Sequence, residues 1–256
     1  MQELLISPYL LAVLFFGVTI VYASVGLGGG TAYTALLAIF GASHEAIPTV
    51  SLTLNVAVTS LNSYAFLQQG HGRLRLIIPF LFTSIPASYF GGTLDLSPTL
   101  FYWILLITLI TVAARIYLGD NSQIFSEFNS KQQMGVALFT GTVLGLIAGI
   151  VGIGGGIYLV PLIIMLGLGT EYEAAACGAV FTLINSASGL IARVQHFDVD
   201  WAAIFPVAVA VIMGSVIGSY LGTRKISPQT MQNILGVIII VAIILLISRL
   251  LTGSVH

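Results

Sequence analysis

Charge is what this chain has least of. Lys and Arg number 8 and Asp and Glu 9, so 7% of the 256 residues are charged. A water-soluble domain carries about 25%, and a chain this poor in charge has too few polar groups to cover its surface against water. The formal net charge of −1 offers no basic surface for nucleic acid. Cys177 is the single cysteine, which excludes an intrachain disulfide and leaves the redox compartment unread. Before the first apolar run stand Glu3 and no Lys or Arg, and no small-residue cleavage pattern follows it. That run therefore reads as a membrane segment and not as a secretory signal.

Apolar residues are what the chain does have, at 57%, in long runs. Leu10 to Val25, Leu100 to Ala114, Met134 to Val151 and Ile234 to Ile247 carry no charge. About 20 apolar residues cross a hydrocarbon core of roughly 30 Å, so the length allows on the order of ten segments. The expectation is an all-α, multi-pass protein of the cell (plasma or inner) membrane. It forms one compact domain whose obligatory partner is the lipid bilayer; a homo-oligomer is left open.

The chain repeats itself. Gly26-Leu27-Gly28-Gly29-Gly30 recurs as Gly152-Ile153-Gly154-Gly155-Gly156, an offset of 152 − 26 = 126. Pro79 matches Pro206 (206 − 79 = 127), and Asn55 matches Asn185 (185 − 55 = 130). Ser97-Pro98 matches Ser227-Pro228 at the same offset as the asparagines. Markers in one order at a near-constant spacing are the mark of duplication. Residues 1–118 and 132–256 are the two halves, and the polar stretch 119–131 links them. Each half reads as five segments: 7–25, 31–41, 46–68, 74–92 and 98–118, then 132–151, 157–167, 172–194, 201–221 and 228–251.

The second segment of each half is too short to cross. As one rod, residues 7–41 would measure about 50 Å, so a hairpin that enters, breaks at the glycines and returns fits better. That count makes the halves inverted. It puts Arg73, Arg75, Arg115, Lys131, Arg224 and Lys225 on one face, the cytoplasmic one, with Arg193 and Arg249 on the other. A parallel repeat gives the same charge ratio, so length decides between them.

Glycine is used in two ways. Gly141, Gly145 and Gly149 fall every fourth residue, as do Gly214, Gly218 and Gly222, a spacing that lets a neighbouring backbone approach closely. The consecutive runs instead break the helix in mid-membrane, which is tolerated only inside protein or along a cavity. The half-helices restarting at Thr31 and Ile157 offer free N–H groups and a positive dipole end, which suit an anion. Gly26, Gly28, Gly29 and Gly30, with Gly152, Gly154, Gly155 and Gly156, are thus candidate substrate-binding residues; the plain alternative is tight packing at a bend. A side chain at Gly29 or Gly155 is expected to fill the space the cargo approaches. No Lys-Ser or Lys-Thr follows at nucleotide-loop spacing.

Gly152-Ile153-Gly154-Gly155-Gly156 with Pro161, then an Ala-rich helix, then Phe197-Asp198-Val199-Asp200-Trp201, resembles the TauE/SafE family of sulfite and organosulfur-anion transporters. The likeness covers nearly the whole chain, with a degraded copy in the first half. There Ala35 stands in place of Pro161, and Gly72-Arg73-Leu74 in place of Val199-Asp200-Trp201. The resemblance implies a multi-pass carrier with duplicated halves, with sulfite, sulfonates or sulfoacetate as typical cargo.

Polar side chains in the third and eighth segments complete the candidates: Ser51, Thr53, Asn55, Thr59, Ser60 and Asn62, then Thr182, Asn185, Ser186 and Ser188. Amides and hydroxyls donate to an oxyanion without trapping it behind a fixed charge; Ser and Thr also bond back to their own helix. Asn55 and Asn185 are expected to flank the cargo. Arg193 either binds the anion or snorkels to the interface. His196, Asp198 and Asp200 lack further metal ligands and read as a solvated turn. Glu45 and Glu171 either carry protons or favour a helix start. No cofactor and no metal are called for. A secondary carrier of a small anion, with export as the favoured direction, stands ahead of an anion channel. It also stands ahead of an intramembrane enzyme, because all four histidines sit in loops or at the C-terminus.

Overall fold

The computed structural model describes residues 7–24, 28–68, 73–118, 130–166, 168–197, 200–222 and 228–252. Among these residues there are ten α-helices and no strand: α1 (Pro8–Ser24), α2 (Gly30–Ile39), α3 (Ala46–Gln68), α4 (Ile78–Thr93), α5 (Pro98–Leu118), α6 (Ser130–Val151), α7 (Gly156–Met165), α8 (Glu171–His196), α9 (Trp201–Gly222) and α10 (Pro228–Thr252). A 3₁₀ turn, Leu74–Leu76, precedes α4. Each helix falls on one of the ten predicted segments. α2 and α7 are 10 residues each, half-length as expected. The stretch 119–129, Gly26, Asp198, Arg224 and Lys225 lie outside the described residues.

Local chemistry sets the helix ends. α8 starts on a reciprocal cap: the Glu173 N–H donates to Thr170 Oγ1 (3.4 Å), and the Thr170 N–H donates to Glu173 Oε2 (2.8 Å). α5 starts with Pro98, whose missing N–H is one the first helical turn does not need. Glu171 opens α8 and Glu45 immediately precedes α3, so both stand at helix starts.

Small residues set the packing. A methyl at Gly141 would meet the Phe80 carbonyl, one at Gly145 the Ser84 carbonyl, and one at Gly149 the Ser88 carbonyl. Both numbers rise together, so α4 and α6 run parallel with backbones touching. Gly214 against Phe16 and Gly218 against Ile20 join α1 to α9 in the same parallel manner. α3 and α8 pair at the centre, and α5 lies beside α10. The contacts come in matched sets: α1–α9 with α6–α4, α2–α3 with α7–α8, and α3–α9 with α8–α4.

The two short helices fold back. Tyr22 OH meets Thr31 Oγ1 and Tyr33 OH meets Thr19 Oγ1, both at 2.6 Å, while the Tyr33 and Phe15 rings stack. As the α1 number falls, the α2 number rises, so the pair is antiparallel. α7 likewise returns to the end of the bundle where α6 begins, with Ile163 and Leu166 in one cluster with Ile77, Phe80 and Ala137. One end of the bundle therefore carries Arg73, Lys131 and Glu173, with Arg73 and Glu173 paired at 3.4 Å. The other carries Ala42, whose carbonyl accepts from Tyr102 OH (3.3 Å), together with His44, Asp95 and the end of α8.

The outside is apolar. Phe82 is 78% exposed, and Tyr9, Phe139, Phe205 and Leu251 are comparably open, which only lipid accommodates. Ala46–Gln68, Lys131–Val151 and Glu173–His196 are long and apolar enough to span a bilayer.

The glycine seam yields a stability test. Gly145→Val should destabilise the protein by about 1–3 kcal/mol through overpacking. Gly135→Val, on the same helix with nothing within 4 Å, should cost about 1 kcal/mol or less. Thermal unfolding in detergent distinguishes the two.

Candidate functional site

The two glycine breaks meet between α3 and α8, but their backbones differ. Gly152, Gly154 and Gly155 have φ of +86°, +81° and +81°, left-handed values that side-chain-bearing residues rarely adopt. Gly29, the counterpart of Gly155, has φ −80°. The repeated sequence therefore makes a sharp left-handed turn in the second half and an ordinary one at Gly29.

Side chains of α3 satisfy the break of the other half. Ser51 Oγ donates to the Gly152 carbonyl (2.9 Å) and lies 3.3 Å from the Gly30 carbonyl. Asn55 Nδ2 donates to the same Gly152 carbonyl at 3.0 Å. From α8, Thr182 Oγ1 accepts the Gly156 N–H at 3.1 Å. Irregular backbone at this depth needs such partners, because lipid supplies none.

A small polar centre is left. A methyl at Gly28 would stand 2.7 Å from Thr59 Cγ2, 2.9 Å from Asn55 Oδ1 and 3.3 Å from Thr182 Cγ2. One at Gly154 would stand 2.5 Å from Thr182 Cγ2, 2.9 Å from Ser186 Oγ and 3.3 Å from Asn55 Nδ2. Gly28 and Gly154 thus face two residues in common, Asn55 and Thr182, with Thr59 beside Gly28 and Ser186 beside Gly154. Asn55 and Ser186 are fully buried, and Asn55 Oδ1 and Ser186 Oγ have no hydrogen-bond partner. A buried polar atom without a partner costs about 1–3 kcal/mol, and Asn185 Oδ1 on α8 is a further such atom.

The sequence-derived candidates divide. Gly28, Gly30, Asn55, Gly152, Gly154 and Gly156 come together at this centre. Gly29 faces the Tyr33 ring, and Gly155 faces the Phe181 edge and Leu144. The sequence leads one to expect side chains at Gly29 and Gly155 to fill the space the cargo approaches; these two glycines face aromatic rings, whereas Gly28 and Gly154 face the polar centre. Thr31 is buried against Tyr22, and Ile157 packs on the apolar core, so both contribute backbone to the helix starts and not side chains to the centre. Asn185 Nδ2 donates to the Phe181 carbonyl (2.9 Å), and the Asn185 backbone carbonyl accepts from Ser88 Oγ (2.7 Å) at the α4 contact, while Asn185 Oδ1 has no partner.

Arg193 lies eight residues beyond Asn185, about 12 Å along α8. It is 3% exposed and does not snorkel; Nη2 donates to the Ile150 carbonyl at 3.3 Å, and Phe197 covers the guanidinium at 4.7 Å. His196 is exposed, with Nδ1 on the Ala192 carbonyl (2.8 Å). Sequence reasoning missed a different group: His44, Glu45 and Asp95 bring their ligand-type atoms within 4.8 Å of one another. No local signal joins Asp95 to the other two, because the approach is made by tertiary folding.

A test follows from the orientation of Gly28. Its φ is not left-handed and its neighbours are side-chain ends, so Gly28→Ala should fold and insert normally. Its methyl should nevertheless reduce transport flux about tenfold or more, as misplacement by an ångström does at a reacting or binding centre. Flux into proteoliposomes, normalised to monodisperse protein, measures this.

A family model described as Sulfite exporter TauE/SafE matches residues 10–246. A protein of Sinorhizobium fredii (strain NBRC 101917 / NGR234), named Probable membrane transporter protein y4hK, is 32% identical over 235 residues, covering 91% of this chain and 95% of the relative. No solved structure matches.

Proposed function

The chain belongs to the TauE/SafE sulfite exporter family and is a membrane transporter, and we propose that it moves a small oxyanion, sulfite or an organosulfonate, by alternating access. The observation that carries this reading is the uncharged polar centre where Gly28 and Gly154 both face Asn55 and Thr182, with Ser186 beside Gly154. A bare anion in hydrocarbon is prohibitively costly. Here the half-helix starts of α2 and α7, the second N–H of Asn55 and the Ser186 hydroxyl supply compensation without a fixed positive charge. Such a site holds its cargo weakly enough to release it. Asn55 Oδ1 accepts and does not donate, so an oxyanion carrying one proton satisfies more of the site than a fully ionised one.

Alternating access rests on two inverted halves, 1–118 and 132–256, joined by 119–131. The matched contact sets, the two antiparallel hairpins and the opposite bundle ends from which those hairpins start support this reading. Two-fold related elements then present the centre to either side in turn. The Arg73 end, with Arg75 and Lys131 exposed, is the cytoplasmic one by the positive-inside rule, and export is the favoured direction.

Two measurements test the proposal. Ser186→Ala and Asn55→Leu should each raise the transport KM for sulfite or a short sulfonate, by about tenfold for a lost charge-assisted bond worth 1.5–3 kcal/mol. Saturable flux and counterflow are expected from the wild type; linear, non-saturating flux rules out the carrier. A cytoplasm-active reporter fused after His256 should be silent and a periplasm-active one active; the reverse result removes the inverted arrangement.

A further inference from the structure

Arg193 lies away from the central site, and its surroundings are those of a second one. The guanidinium has five N–H donors, yet it is 3% exposed, donates through Nη2 to the Ile150 carbonyl, and leaves Nε without a partner. No described carboxylate lies within ion-pair distance of it. A desolvated cation with one neutral acceptor is poorly compensated. Gly92 packs against Gly189 and Ala192, so Asp95, three residues on, stands at the Arg193 end of α8 in an exposed position beside His44 and Glu45. Exposed charges are screened by water, so they offset the buried charge only in part.

We propose that Arg193 is a second oxyanion station at the His44 end of the path, and that Asp95 and Glu45 are the fixed negative charges that expel the anion from it. This rests on the reading of the chain as an oxyanion transporter. A guanidinium fork takes two oxygens of a sulfur oxyanion at once. One of its faces is covered by the Phe197 ring, which leaves the N–H edge for the ligand. The carboxylates face an anion held there with like charge, which lowers its affinity and speeds its departure. Arg193 also touches the helix break: its acceptor Ile150 is two residues before Gly152, where α6 gives way to the left-handed turn. An anion that takes the guanidinium draws it from the Ile150 carbonyl, so occupancy at this end bears directly on the turn lining the central site.

The test uses full-length protein in proteoliposomes of known orientation, with sulfite and, separately, a short sulfonate applied from either side. Arg193→Gln should raise the half-saturating concentration from the His44 side about tenfold or more and leave the other side within about twofold, whereas Ser186→Ala should raise both. Arg193→Lys should fall between wild type and Arg193→Gln, because it keeps the charge and loses the fork. Asp95→Asn should do the opposite of Arg193→Gln, lowering the His44-side value about threefold and slowing the maximal rate. Asp95→Asn that loses thermal stability without tightening the anion overturns the station, since the carboxylate would then only compensate a structural cation. So does Arg193→Gln with symmetric or absent effects. Should Arg193→Gln fail to fold, Asp95→Asn decides alone. A wild type with no saturable oxyanion flux instead overturns the oxyanion reading itself, and the station with it.

Discussion

Within hydrocarbon a backbone carbonyl or N–H has no water to turn to, and every helix that stops in mid-membrane exposes several of them. This chain stops two helices there, and its interior is arranged around that fact. The Gly152 carbonyl is the most telling case. It accepts from both Ser51 and Asn55, side chains of a helix about a hundred residues earlier. Thr182 receives the Gly156 N–H from the other central helix. α3 and α8 are therefore less apolar than the helices around them because they serve as the solvent of the breaks. Their polar atoms outnumber the backbone groups to be satisfied: Asn55 Oδ1, Ser63 Oγ, Asn185 Oδ1 and Ser186 Oγ are left without a protein partner.

The second constraint is close approach. A carbonyl of α4 occupies the place where a side chain of α6 would begin, three times in succession. Helices in lipid gain nothing from hiding apolar surface that lipid already accepts, so van der Waals contact between backbones must hold them. The seams provide it and leave the outer faces free for large residues such as Phe82 and Phe139. The arrangement separates two jobs: glycine faces hold the bundle together, and the hydroxyl and amide faces of α3 and α8 line its centre.

Much of this was legible in the residues alone. Long apolar runs together with the repeated markers outlined all ten helices, and the run of five residues with four glycines marked where two of them are cut to half-length. The periodic glycines announced their seams because a spacing of four strips one helix face. Other features were not legible, for reasons that can be named. Consecutive glycines have no side-chain pattern, so nothing in the spelling told that Gly28 and Gly154 face the centre while Gly29 and Gly155 face Tyr33 and Phe181. Asn55 and Asn185 match in the repeat, yet one bonds across the bundle and the other back to its own helix. Arg193 reads the same whether its side chain reaches the interface or turns inward, since that depends on Ile150 and Phe197 packing around it. The approach of Asp95 to His44 belongs to topology and has no local trace.

The parallel seams have a mechanical consequence. α1 is locked to α9 and α4 to α6, so the tightest joints in the molecule tie early chain to late chain. A body that moves as a unit must include both members of a seam, because sliding one past the other drives a carbonyl into a glycine Cα. Any rigid body built on a seam therefore includes helices from before and after residues 119–129, and no cut between them in the sequence divides one body from another.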